Sequence, residues 1–456
     1  MAANPNPSPK SIFKAVEERY IDECNRLIDD STNEYARKAE ELRVKANRKA
    51  DELLADSNRK EEKLKLEANR KAEELKVEAN RKAEELTAEH SRQMAISLKD
   101  SLLEAARQGL HNFVDGLLTK GAKVNDKDDQ GQSALMIASI EGHCPVVDLL
   151  LSKWSANIHA KENQGRTALI LASLKGHVDV VDLLLSRGAS IHDKTNDGRS
   201  SLCAASFNGH AAVVDLLLSK GASVNDKGID GCSSLYVASQ EGHVNVIELL
   251  MSRGASINDK ANDGRSSLYT ASFSGHVNVV DLLLSRGASV NDKRNDGWSS
   301  LMIASHNGNV NVVDLLLSKG ANINDKANEG CSSLYIASQM GHVNVVDLLL
   351  SRDASINDKG IDGWSSLMIA SKKGHVDVVE LLLSRGASLR DRSIDGLRTC
   401  FSVASSDKIR SVLRKWPTSM GVLALQELGI YHHIDCSSII DLHQLIGKED
   451  YTSDII

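Results

Sequence analysis

Residues 262–293 read NDGRSSLYTASFSGHVNVVDLLLSRGASVNDK, and residues 295–326 read NDGWSSLMIASHNGNVNVVDLLLSKGANINDK. One 33-residue step separates the two stretches, and a glycine keeps that step at Gly165, Gly198, Gly231, Gly264, Gly297, Gly330, Gly363 and Gly396. A fixed period of this length marks one supersecondary unit stacked many times. A stack of this kind presents an extended surface, and extended surfaces are used for binding.

The unit from Gly198 to Asp230 shows how each step is built. Asp197-Gly198 is a turn signal. Ser200 is placed to cap a short helix from Ser201 to Phe207, with Leu202, Ala204 and Ala205 on its inner face. Gly209 ends that helix because glycine accepts the left-handed backbone. After His210, Val213, Val214, Leu217 and Leu218 recur at helical spacing, which predicts a second helix from Ala211 to Ser219. Lys220 sits at its negative end and Gly221 closes it. One unit has too few large apolar side chains to offset the ordering of its backbone, so neighbours must stack.

This pattern strongly resembles the ankyrin repeat. The residues that carry the resemblance are the Asp-Gly turn, the Leu-x-x-Ala helix, the Gly-His step, Val-Val-x-Leu-Leu-Leu and Gly-Ala-x-Ile/Val-Asn, over residues 98–416. The resemblance implies an all-α solenoid of helix–turn–helix–loop units, used to bind another protein. Here Ser-Ser-Leu replaces the family's Thr-Pro-Leu-His, so looser helix starts are expected. Trp154-Ser155 and Asp353 stand where a glycine usually ends the second helix, and Asn309 replaces one histidine. Residues 98–129 and 396–416 are degenerate, as terminal capping repeats are. The resemblance also makes Asn225, Asn258, Asn291 and Asn357 candidates for asparagine hydroxylation. The usual acidic residue two places earlier is serine in this chain.

A second, shorter period runs through residues 35–89, where the last two blocks read ANRKAEELKVE and ANRKAEELTAE. Apolar or small residues fall at the first, fifth and eighth places, which keeps one stripe on one face of a helix. Eleven residues in three turns predicts a straight or slightly right-handed coil. Ala, Leu, Glu, Lys and Arg favour helix and no Gly or Pro interrupts, so these residues should form a rod of roughly 80 Å. The stripe is thin, and Glu61 interrupts it. Two readings stay open: a homo-oligomer through residues 35–89, or a helix that stands alone on local ion pairs or packs on a different partner. The expected organisation is a disordered stretch at 1–10, a long helix or coiled coil at 11–97, the array at 98–416 and a helical tail at 417–456.

Composition limits the function classes. The net charge is −7, which gives no global pull towards nucleic acid. No stretch of 18 apolar residues occurs, so no membrane insertion is expected, and the first ten residues do not resemble a signal peptide. Seven cysteines without a C-x-x-C pair fit a reduced compartment. The expectation is a soluble cytoplasmic protein, with the nucleus also open. Phosphate-loop, zinc-protease, hydrolase and EF-hand motifs are missing, so an enzyme, a cofactor and a metal are not expected. His432, His433, Cys436 and His443 match no common zinc spacing.

Function should lie where the repeat varies. The residue after each turn glycine is Arg199, Cys232, Arg265, Trp298, Cys331 or Trp364, and the first helix ends with Phe207, Phe273 or His306 at one place and Met340 at the next. The resemblance puts both sets on the concave and hairpin side. Trp and Arg are favoured binding anchors, so these ten residues are the candidate partner-binding set, centred on Trp298 and Trp364 with Phe273 and Arg265. The competing reading is that the rings cover neighbouring repeats. The best reading is a scaffold or adaptor for a protein partner; a regulatory targeting subunit and a structural oligomeric rod are the alternatives.

Overall fold

A computed structural model describes residues 33–416 of the chain. The expectations for residues 1–10, for the long helix over residues 11–32, for the tail at 417–456 and for His432, His433, Cys436 and His443 lie outside the described residues. The chain divides into two compact units between Ser97 and Leu98. Among the described residues no helix is long and apolar enough to cross a membrane, and the architecture is all-helical, with isolated bridges in place of strands.

The first unit is the body of one helix, Asn33–Arg107. Its composition accounts for it, and so do ion pairs one turn apart: Asp56–Lys60, Glu61–Lys65, Glu67–Lys71, Glu78–Lys82, Arg70–Glu74 and Arg81–Glu85. Such pairs contribute about 0.2–0.5 kcal/mol each in an isolated helix. From Leu98 onward the helix belongs to the second unit, where Leu102, Leu103, Ala105 and Ala106 enter the array's core.

The second unit is a stack of helix pairs, from Ala134–Glu141 with Cys144–Ser152 to Ser366–Lys373 with Val376–Ser384. The unit read above from sequence forms Ser201–Phe207 and Ala211–Ser219, as expected. First helices pack on first helices and second on second. The shared core is Leu and Ala from the first helix and Val, Val and Leu from the second, as in Leu268, Ala271, Val279, Val280 and Leu283. Helix starts are regular despite the missing proline. Ser266 accepts from the Tyr269 N–H at 3.2 Å, and its counterparts do the same except Ser365. The two glycine replacements adopt the left-handed backbone, Ser155 at φ 51° and Asp353 at φ 64°.

Polar ties run from each repeat to the next. The imidazole of His276 donates through Nε2 to the Gln240 carbonyl at 3.0 Å, and the other Gly-His histidines make the same bond to the preceding repeat. Asn309 replaces the ring with its amide, which donates to Ser272 O at 3.0 Å. Gly242 shows why glycine precedes each histidine. It has φ +83°, and a Cβ there would lie 2.8 Å from the His276 ring. In the loops, Asn258 accepts from the Ser289 N–H at 2.9 Å and donates to Gly287 O at 3.4 Å.

One expectation needs correcting. By sequence the Asp-Lys pairs after Asn225, Asn258 and Asn291 are expected to be solvated loop residues, yet they belong to a half-buried ladder. Lys227 pairs with Asp259, Lys260 with Asp292, Lys293 with Asp325 and Lys326 with Asp358, each at 3.1–3.5 Å. Each of these lysines also donates to the next repeat's lysine carbonyl, as Lys260 does to Lys293 O at 3.3 Å. Sequence periodicity could not reveal this, because the partners are about one repeat apart. At the far end, the Ser405 N–H bonds to Ser371 O at 3.1 Å.

Candidate functional site

The turn that opens each repeat fixes the residue after its glycine from two sides. At four of the varied positions the turn aspartate accepts that residue's backbone N–H: Asp230 from Cys232 at 3.0 Å, Asp263 from Arg265 at 3.1 Å, Asp296 from Trp298 at 3.2 Å and Asp362 from Trp364 at 3.1 Å; at Arg199 the Thr195 hydroxyl accepts it at 2.9 Å. Its carbonyl accepts from the backbone four residues earlier, as Trp298 O does from Arg294 N at 2.8 Å. Successive turns are linked too, through Asn262 N to Asp230 O at 2.9 Å and Asn295 N to Asp263 O at 3.1 Å. A varied side chain is thus presented from a rigid, repeated frame.

The ten candidate residues fall into separate clusters rather than one site. In the first, Arg199 lies between Asp197 at 3.1 Å and Asp230 at 3.2 Å. A surface groove of about 510 Å³ is lined there by Arg166, Ile170, Leu174, Arg199, Cys203 and Phe207. Cys203 and Cys232 pack together with Tyr236, Val237 and Ala261. Burial pushes the Cys203 thiol up to about 11 and the Cys232 thiol up to about 12, so neither is a thiolate near neutral pH. Burial opposes the charge of Asp230, but the Cys232 N–H and the Arg199 guanidinium outweigh it and hold the carboxyl below the ordinary range.

The central cluster surrounds Trp298. Its ring meets His306 edge to face, with centroids 5.7 Å apart. The Arg294 guanidinium lies 5.8 Å from the Trp298 ring and 5.6 Å from the Tyr269 ring, within reach of cation–π attraction. Arg294 is also paired with Asp296, whose carboxyl it holds below the usual carboxylate range. Burial raises the Tyr269 hydroxyl to about 12. Phe273 is 51 % exposed, and its carbonyl accepts from the Asn307 amide at 2.7 Å. Arg265 is half-buried and paired with its own turn residue Asp263.

The third cluster surrounds Trp364. The ammonium of Lys372 is 4.8 Å from its ring and the Arg398 guanidinium 5.7 Å. A groove of about 480 Å³ is lined there by Tyr335, Ile361, Trp364, Lys372, Ile394 and Arg398. Trp364 and Cys232, both expected to be partner contacts, are instead buried, Trp364 at 5 % exposure, as the competing reading has it for the Trp364 ring. Each is covered by its own and neighbouring repeats, because the turn folds back over the first helix. Trp298, His306 and Cys331 are half-buried, and Phe207 and Met340 are exposed. Cys331 and Trp298 pack on Met302, Ala327 and Ile336.

Sequence reasoning singled out Lys372 among the varied positions at the end of the first helix but left it out of the candidate set, and it missed Arg294 and Arg398, the other cations that face the two tryptophan rings. Arg294 carried a signal, since Ala261, Ala327 and Gly360 hold its place in other repeats. Among the described residues no group of His, Cys, Asp or Glu is arranged to hold a metal.

Comparisons agree with this architecture. A family model described as ankyrin repeats (3 copies) matches residues 102–195, 187–261, 235–327, 268–360 and 325–393. The solved human ASB11 ankyrin repeat domain is similar, with 28 % identity over 48 % of this chain and 98 % of that one. The TM-score between the two is 0.45. No curated protein matches the chain.

Proposed function

The chain belongs to the ankyrin-repeat family, and from that premise we propose that it is a non-enzymatic scaffold or adaptor whose array binds a protein partner on its turn side. Ankyrin repeats are generic protein–protein interaction modules. The observation that supports this reading is the surface around Trp298. An indole, the Arg294 guanidinium and His306 meet on a frame that otherwise repeats residue for residue, and the ring of Phe273, at the end of the preceding repeat's first helix, is exposed. Rigid aromatics and arginine are what protein interfaces favour. Trp364, being buried in a separate cluster under Lys372 and Arg398, is left out of this surface. The near-balanced charge gives no reason to invoke nucleic acid, and seven scattered cysteines without a C-x-x-C pair suit a reduced, cytoplasmic setting.

The leading helix serves as a spacer in this reading. Self-association through residues 35–89 would bring several arrays together, and exposed Leu42, Leu53, Leu64, Leu75 and Leu86 support it. The lysines beside that stripe weigh against it.

The test is capture of partners by the full-length chain and by a Phe273→Ala, Arg294→Ala, Trp298→Ala variant. Lys319→Ala, whose partner Asp281 lies on a second helix, is the control. Partners should be lost from the triple variant and kept by the control. Unchanged capture by the triple variant would remove the turn-side assignment.

A further inference from the structure

The leading helix leaves an apolar line uncovered, and the charges beside it are not arranged at random. Leu42, Leu53, Leu64, Leu75 and Leu86 recur once in each block of the short period and are 45–70 % exposed. With three turns to each block, each residue rotates roughly 98°, so the five leucines lie on one line. Ala46, Ala50, Ala68, Ala72, Ala79 and Ala83 lie within about 70° on one side of that line, which makes a strip of leucine and alanine. Measured from the strip's centre, Lys38, Lys49, Lys60, Lys71 and Lys82 fall about 65° to one side, and Arg43, Lys65 and Lys76 about 65° to the other.

Glu61 takes the place of one alanine on the strip and pairs with Lys65 at 2.8 Å; the other acids stand further back. Glu40, Glu62, Glu73 and Glu84, with Glu41, Glu52, Glu74 and Glu85, fall roughly 130° from the centre on either side. Asp56, Glu67 and Glu78 lie behind the lysines, at about 100°, and pair with Lys60, Lys71 and Lys82. Residues 35–89 hold 15 basic and 14 acidic side chains. Any attraction to a charged surface must therefore come from placement and not from net charge.

That placement selects the occupant. Two copies packed in parallel along this strip set the lysines of one flank against Lys65, Lys76 and Arg43 of the other. Antiparallel copies set each flank against itself. Either way, like charges face each other across the seam. A plane of anionic headgroups instead meets basic side chains on both flanks, and lysine stems can lie along the apolar boundary while their ammoniums reach phosphate. The opposite stripe of Val44, Leu66 and Val77 is narrower. It has arginines on one side and acids on the other, which fits no surface of one sign.

We propose that residues 35–89 lie along an anionic phospholipid surface, with the five leucines at the headgroup boundary and the flanking lysines on the phosphates. The inference rests on the leading helix alone and stands apart from the array's partner.

The test is sedimentation of the full-length chain with phosphatidylcholine vesicles, with and without about one-third phosphatidylserine. Binding is expected only with phosphatidylserine and should weaken as salt rises. Lys60→Glu with Lys71→Glu and Lys82→Glu should weaken it roughly 100-fold. The matched reversal of Arg59, Arg70 and Arg81 to Glu, on the far face, should change it by less than about threefold, since those side chains point away from the lipid. Replacing Leu53, Leu64, Leu75 and Leu86 by Ala should abolish binding while circular dichroism shows the helix retained, because alanine favours helix. No binding to phosphatidylserine vesicles would overturn the proposal. So would equal loss from the two charge reversals, or a leucine-dependent oligomer that ignores vesicles.

Discussion

Leu64 and Leu283 are both helical leucines in strictly periodic sequence, yet Leu64 is 67 % exposed and Leu283 is fully buried. The leading helix satisfies itself locally, through backbone bonds and ion pairs within one turn. The array satisfies itself through its neighbours, with rings, amides and lysines reaching one repeat along the chain. The short period therefore describes a surface that needs no neighbour to form. The long period describes one that cannot form without its neighbours.

The largest effect should come from cutting into the shared core. Leu283→Ala should cost about 2–5 kcal/mol and broaden or split the array's denaturation curve. Leu64→Ala should shift it by less than about 0.5 kcal/mol, as surface changes do. Equal shifts would break the contrast between the regions.

Next come the glycines. Gly242→Ala must adopt a left-handed backbone and also displace His276, so it should cost more than the roughly 1–2 kcal/mol of the conformation alone. Gly254 has φ +85° with nothing within 4 Å of an added Cβ. Gly254→Ala should stay within that roughly 1–2 kcal/mol. Chemical denaturation of the two variants measures the difference, which is the contribution of the close approach between repeats.

Smaller still is the histidine tie. His276→Ala should cost about 1 kcal/mol and His276→Asn less, since Asn309 makes the same tie natively. A His276→Asn variant as weak as His276→Ala would show that the ring's packing outweighs its hydrogen bond.

The smallest effect concerns acid. The carboxyl of Asp296 sits below its ordinary range because Arg294 binds it. A group depressed in the folded state contributes stability above its unfolded value, about 3.9, and loses it as pH falls through the folded value. Melting temperature followed downward from pH 5 should therefore fall less steeply in Asp296→Asn than in the parent. Parallel curves would remove Asp296 from the acid limb.

Much of the fold was legible because its determinants are local and repeat: the Asp-Gly turn, the serine cap, the Gly-His step and the Val-Val-x-Leu-Leu-Leu helix. The ties between repeats were not legible. Lys260 and Asp292 look like solvated loop residues until the stack sets them 3.4 Å apart. The candidate surface was read in part. The varied position after each turn glycine was visible, but its burial was not. Whether Trp298 stays half-buried or Trp364 sinks under Lys372 and Arg398 depends on side chains from adjoining turns and helices.

Hydrogen exchange on the full-length chain, followed peptide by peptide, tests the contrast most directly. Amides of residues 40–95 should exchange by local opening within minutes, while those of Val279, Val280 and Leu283 and their counterparts should be protected at least about 1,000-fold more strongly, because only loss of stacking exposes them. Comparable protection in the two regions would contradict the account.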